Sequence, residues 1–193
     1  MSNYVTNILT INGTEDQVAK VRDYIKGSNG ESISFQSFLP MPEDLNGEKE
    51  VELMMGLSFP DWYVWRVTHW STKWDAMPIS DESVDAPNRI MFNTADATPI
   101  RALKALSLHF PEVTFHVIFS DEFAGQFAGE YTVADGEVTK KFWFDVALSK
   151  DDVFDEAMEY YFITHEYDRE NWKKDADGYW VNTYEEEDDY DEE

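Results

Sequence analysis

The side chains with the most chemical potential in this chain are its carboxylates. There are 40 Asp and Glu against 15 Lys and Arg in 193 residues, a formal net charge of -25. Paired carboxylates do acid–base work when their surroundings separate their pKa values. Here acids are so numerous that no single pair stands out. The four histidines, His69, His109, His116 and His165, form no H-E-x-x-H. With no cysteine, the chain offers no thiol nucleophile, disulfide or thiolate metal site. His165-Glu166 followed by Asp168 is a weak metal-like cluster, better read as a solvated helix end. Asp175-Ala176-Asp177-Gly178 is similar to part of a calcium loop. With Gly178 in sixth place, however, Lys173 and Tyr184 stand first and twelfth, where acids are needed. The nucleophile elbow, the Walker loop and the dinucleotide glycine fingerprint are absent. Gly125 and Gly129, beside Glu130, fit a turn or bulge, since nothing basic adjoins them to hold a phosphate. These readings point to a protein that is not an enzyme and needs no cofactor or metal.

The acids are unevenly placed. Residues 1–150 hold 22 acidic and 12 basic side chains, whereas residues 151–193 hold 18 and 3. Ser149-Lys150-Asp151-Asp152 reads as a helix start with a capping-box-like pair. At 100° per residue, Asp151, Asp152, Asp155, Glu156 and Glu159 share one helix face, and Phe154, Ala157, Met158, Tyr161 and His165 share the opposite one. The expectation is a helix docked by its aromatic side that displays a ridge of five carboxylates. Glu166, Asp168, Glu170, Asp175, Asp177, Glu185, Glu186, Glu187, Asp188 and Asp189 continue the acidic surface. Like charges at i,i+4 cost about 0.2–0.5 kcal/mol per pair, partly offset by the helix dipole in the first turn. The bland reading is a solvated face with a solubilising tail. Against it, solubility alone needs a net charge of only about 2–8 on a small domain.

The elements that must position this ridge are legible in outline. Apolar residues make up 42% of the chain and aromatics 16%, enough for a core. Tyr4 to Ile11 is strand-like and ends at Asn12-Gly13. Thr14 caps a helix over 14–26 whose Val18, Val21 and Ile25 share a face. Ile33 to Phe38 reads as a short strand, Glu43 to Glu52 as a loop or short helix, and Ser58 to Trp70 as a helix. Trp74–Ile79 and Arg89–Asn93 follow as strands, then a helix over 98–109. Val113, Phe115, Val117 and Phe119 alternate as one face of a strand. Asp135-Gly136, between Tyr131–Val133 and Val138–Val146, signals a hairpin. The order predicts an α+β fold: a ferredoxin-like antiparallel sheet with two helices on one face, an inserted Trp-rich helical segment and a C-terminal acidic helix and tail. The expected division is a ferredoxin-like α+β domain over 1–146 and the acidic helix and tail over 147–193. Trp62, Trp65, Trp70 and Trp74 are expected to be mostly core. Their functional alternative is an aromatic patch anchored by Arg66 and Lys73.

Several segments carry a family resemblance. Asn3 to Gly13 reads NYVTNILTING, Leu39 to Leu45 LPMPEDL, Trp62 to Ala76 WYVWRVTHWSTKWDA and Phe92 to Thr98 FNTADAT, and Ala124 to Asp135 contains GQFAGEY. Together, over about residues 3–137, they resemble the YubB-like family of phage and plasmid proteins. The resemblance implies a ferredoxin-like domain and a mobile-element setting, hence the cytoplasm of a bacterial host. It implies no catalytic residues.

Charge magnitude suggests the function. Duplex DNA carries one charge per about 1.7 Å, so 25 charges span roughly 42 Å. A compact chain of this length is roughly 40 Å across. The expectation is therefore a nucleic-acid mimic of the anti-restriction or anti-CRISPR type. It would bind and inhibit a basic host defence protein, occupying the nucleic-acid cleft of a nuclease or immune complex. The alternative is a non-catalytic accessory module of phage or plasmid biology. Direct nucleic-acid binding and membrane attachment are not expected: the charge repels both, no apolar run reaches about 18 residues, and Met1 to Tyr4 does not open a secretory leader.

Overall fold

The computed structural model describes residues 2–45, 47–53, 56–79, 86–145 and 154–183. Strand β1 (Tyr4–Asn12) leads to helix α1 (Glu15–Ile25). Thr14 caps that helix reciprocally: the Gln17 amide donates to Thr14 Oγ1 (3.3 Å) and the Thr14 amide to Gln17 Oε1 (2.8 Å). Residues 35–38, expected as strand, are instead the short helix α2 (Phe35–Phe38). The cause lies 40 residues away. The Asp75 carboxylate accepts from Ser34 Oγ (2.7 Å) and from the amides of Phe35 and Gln36, satisfying the open first turn.

Next come β2 (Glu50–Glu52) and β3 (Ser58–Pro60), a two-stranded ribbon, and α3 (Asp61–Trp70). The ribbon uses Ser58 to Pro60, so the helix starts later than its sequence suggests. β4 (Met77–Pro78) is shorter than the expected strand, because Trp74 and Asp75 are engaged elsewhere. β5 (Arg89–Ala95), α4 (Ile100–His109), β6 (Thr114–Asp121), β7 (Phe127–Ala134) and β8 (Glu137–Asp145) follow. Asp135 and Gly136 both take positive φ, 45° and 76°, as a primed hairpin turn requires.

The main sheet has six strands in the order β4-β5-β1-β6-β7-β8, every neighbouring pair antiparallel. The fold is α+β. One sheet face carries Leu9, Ile11, Phe92, Phe115, Val117, Phe119 and Tyr131, and these form a single core with Val18, Val21 and Ile25 of α1 and Ala102, Leu103 and Leu106 of α4. Polar groups inside this core are chained. Thr98 Oγ1 donates to Asn7 Oδ1 (2.8 Å) and lies 2.9 Å from the Tyr131 hydroxyl. Burial and the Thr98 contact set the Tyr131 phenol; burial dominates and pushes its pKa well up.

The opposite sheet face presents the alternate residues, among them Thr6, Ser120 and Ala128. It is covered by α5 (Phe154–Thr164), which packs against β6 and β7 and touches β1 and β8. A 3-10 helix (Glu166–Asn171) then leads into β9 (Trp172–Lys174) and β10 (Trp180–Asn182), an antiparallel hairpin in a segment expected to be tail. Among the described residues no helix is long and apolar enough to cross a membrane.

Candidate functional site

The acidic ridge rests on α5, whose sequence sorts its faces. Ala157, Met158 and Tyr161 are buried and Phe154 is half-buried, while Asp155, Glu156 and Glu159 are exposed. Ala157 meets Ala128 of the sheet, with Phe154 and Tyr160 sealing the contact. Met158, Tyr161 and Phe162 form a second small core with Ala124, Trp172 and Trp180.

The helix C-terminus is tied down by polar groups. His165 Nδ1 lies 2.9 Å from Thr164 Oγ1 and 3.2 Å from Ser120 Oγ, and its Nε2 lies 3.4 Å from Thr6 Oγ1. Its ring stacks on Tyr161, with centroids 4.4 Å apart. This corrects the solvated-end reading: His165 turns towards Thr6 and Ser120 of the sheet, as its place on the docked helix face predicts. The Ser120–His165 contact has the form of a nucleophile and base, but Ser120 is 1% exposed beneath α5. Its role is to hold the helix.

The ridge is not bare. Lys174 Nζ donates to Asp155 Oδ2 (2.6 Å), and the Trp180 indole donates to Asp155 Oδ1 (2.9 Å). The Lys174 bond, followed by that of Trp180, holds the Asp155 carboxyl below the usual carboxylate range. Arg169 Nη1 lies 3.4 Å from Glu159 Oε2. Glu156 has no ion-pair partner among the described residues.

Of the remaining expected acids, Glu166, Glu170, Asp175 and Asp177 are exposed. Asp168 falls in the 3-10 helix. Asp175 Oδ1 accepts from the amides of Asp177 (2.9 Å) and Tyr179 (2.9 Å), which closes the β9–β10 turn. Asp151, Asp152 and Glu185, Glu186, Glu187, Asp188 and Asp189 lie outside the described residues. The β9–β10 hairpin, which brings Lys174 to the ridge, is not among the elements expected from the sequence. Its signal is the turn dipeptide Asp177-Gly178, which lies in the five-residue loop 175–179 with Gly178 at a φ of 91°.

The alternative anchors are internally committed. The Arg66 guanidinium lies between Trp62 and Trp70, 5.2 Å from each ring centroid, and donates to the Lys73 carbonyl (3.4 Å). Burial pulls its pKa down, against a smaller opposing effect of Asp75. Lys73 lies over Trp74 at 4.9 Å and pairs with Asp96 at 3.5 Å. Trp70 is buried, and Trp62, Trp65 and Trp74 are half-buried. Glu130, beside the glycine-containing loop, meets His116 at 2.9 Å. Among the described residues no group of three or more His, Asp or Glu is placed to hold a metal.

No family model and no curated protein matches the chain. Among solved structures it is similar to the crystal structure of protein api92 from Yersinia pseudotuberculosis, titled with the family model DUF1281. The identity is 14% over 60% of this chain and 40% of that one, with a TM-score of 0.40.

Proposed function

We propose that this chain is a non-catalytic binding protein of a phage or plasmid, which sets its carboxylates against a basic, nucleic-acid-binding surface of a host defence protein. The carrying observation is the exposure of Asp155, Glu156, Glu159, Glu166, Glu170, Asp175 and Asp177 within a segment holding 18 acids and 3 bases. The body beneath is read as ferredoxin-like. In support, β4 and β1 run parallel with β5 between them, as β5 and β6 do with β1 between them, in the order β4-β5-β1-β6. Inhibition on this reading is stoichiometric. Opposite charge steers the encounter and excludes the nucleic acid.

The test replaces Asp151, Asp152, Asp155, Glu156 and Glu159 together by Ser. The wild type should bind basic nucleases and nucleic-acid-guided complexes of a bacterial host, weaken steeply with salt because exposed charges are screened over about 10 Å at 0.1 M, and be displaced by duplex DNA or guide RNA. The variant should keep its circular dichroism and lose most of its affinity. Equal binding by the variant at every salt concentration refutes the reading. A second reading, an accessory module with a non-basic partner, draws on the internal pairing of Asp155 and Glu159. It predicts a complex that survives high salt.

A further inference from the structure

Two ridge carboxylates already hold cations, and both cations come from one short segment. Lys174 Nζ sits 2.6 Å from Asp155 and 5.3 Å from the Trp180 ring centroid. The Arg169 guanidinium sits 3.4 Å from Glu159 and 4.8 Å from the Phe162 ring centroid. Each seat thus joins a carboxylate to an aromatic face, chemistry that recognises an ammonium or guanidinium from any source. The four charged side chains are 42–63% exposed, so both pairs are weak and open to exchange. The hairpin has further anchors. Trp180 packs edge-on against Phe162 (5.2 Å) and Trp172 against Tyr161 (6.2 Å), which leaves the backbone anchored when the cations let go.

We infer that Arg169 and Lys174 are internal occupants of two cation seats, and that a lysine- or arginine-bearing segment of a partner protein binds the ridge by taking their place. This rests on the reading that the ridge meets a basic surface. It adds the recognition unit, one cationic side chain per carboxylate–aromatic seat, and an intramolecular competitor that lowers affinity for stray cations. Glu156, unpaired among the described residues, lies on the same exposed face.

A blocked tetra-arginine peptide serves as probe. Its binding is followed by calorimetry at low salt and by the Trp180 indole N–H resonance, assigned with Trp180→Phe. Three double variants are compared with wild type: Arg169→Gln with Lys174→Gln, which empties the seats; Asp155→Asn with Glu159→Gln, which removes their carboxylates; and Lys20→Gln with Lys104→Gln. The last makes the same change in net charge by breaking exposed pairs elsewhere, Lys20–Asp16 and Lys104–Glu137. The peptide should shift the Trp180 resonance in wild type. Emptying the seats should tighten binding roughly 2- to 30-fold, the remote variant should gain clearly less, and the carboxylate variant should weaken binding and lose the shift. If the emptied-seat variant lost its circular dichroism, Lys174→Met, which keeps a stem against Trp180, would make the same comparison. No gain on emptying the seats, or an equal gain from the remote variant, overturns the inference. In that event, weaker binding by the carboxylate variant leaves the basic-surface reading standing, while wild-type binding by that variant removes both.

Discussion

Gly125 controls how α5, and with it the ridge, sits on the sheet. Its φ is +72°, and a Cβ there would lie 2.5 Å and 2.8 Å from ring carbons of Phe154 and 3.2 Å from Met158 Sδ. Gly125→Ala therefore meets two costs. A left-handed conformation costs a non-glycine residue about 1 kcal/mol. The Phe154 ring must also withdraw, and it packs against both small clusters under the helix. Losing about half the burial of a phenylalanine costs about 1–1.5 kcal/mol. The expected loss is about 2–2.5 kcal/mol, or a fall in Tm of roughly 4–10 °C for a chain of this size. Urea unfolding followed by circular dichroism measures it. Gly178→Ala and Gly30→Ala are the controls, because both positions have positive φ (+91° and +93°) and nothing within 4 Å of the new Cβ. They should lose only about 1 kcal/mol. In a Phe154→Ala background the clash is gone, and Gly125→Ala should fall to the control value, a coupling of about 1–1.5 kcal/mol. A Gly125→Ala loss no larger than the controls, or strict additivity with Phe154→Ala, would show that α5 does not press on this loop.

Two further outcomes follow from the main core. Trp70 is 1% exposed, and its indole donates to the Leu39 carbonyl at 2.9 Å, so Trp70→Ala should cost about 3–5 kcal/mol in a denaturant titration. A loss below 1 kcal/mol would contradict its place in the core at the end of α3. The Tyr131 phenol is raised by burial above its ordinary value of 10.0. Above that pH the unfolded chain gives up a proton that the folded chain keeps, so stability is intact below pH about 10 and declines as pH rises beyond it. Tyr131→Phe should flatten part of that decline, and unchanged alkaline unfolding in the variant would count against the assignment.

What the sequence determined by itself is local. Thr14 and Gln17 are three residues apart and cap α1 whatever surrounds them. Asp135-Gly136 accepts positive φ on its own, and the alternation from Val113 to Phe119 commits one strand face to the core. The sorting of acids and aromatics on α5 is also local, since helical periodicity needs no partner. Tertiary structure decided the rest. Phe35 to Phe38 became helix because Asp75 caps it from the far side of an insertion. The acidic segment became a hairpin because Trp172 and Trp180 found Tyr161 and Phe162 to pack on. That packing also carried Lys174 to Asp155 across 19 positions of chain and placed Arg169 against Glu159. Net charge is additive and can be counted along a sequence. Which carboxylates are already neutralised depends on distances of a few ångströms, and only the folded chain sets those.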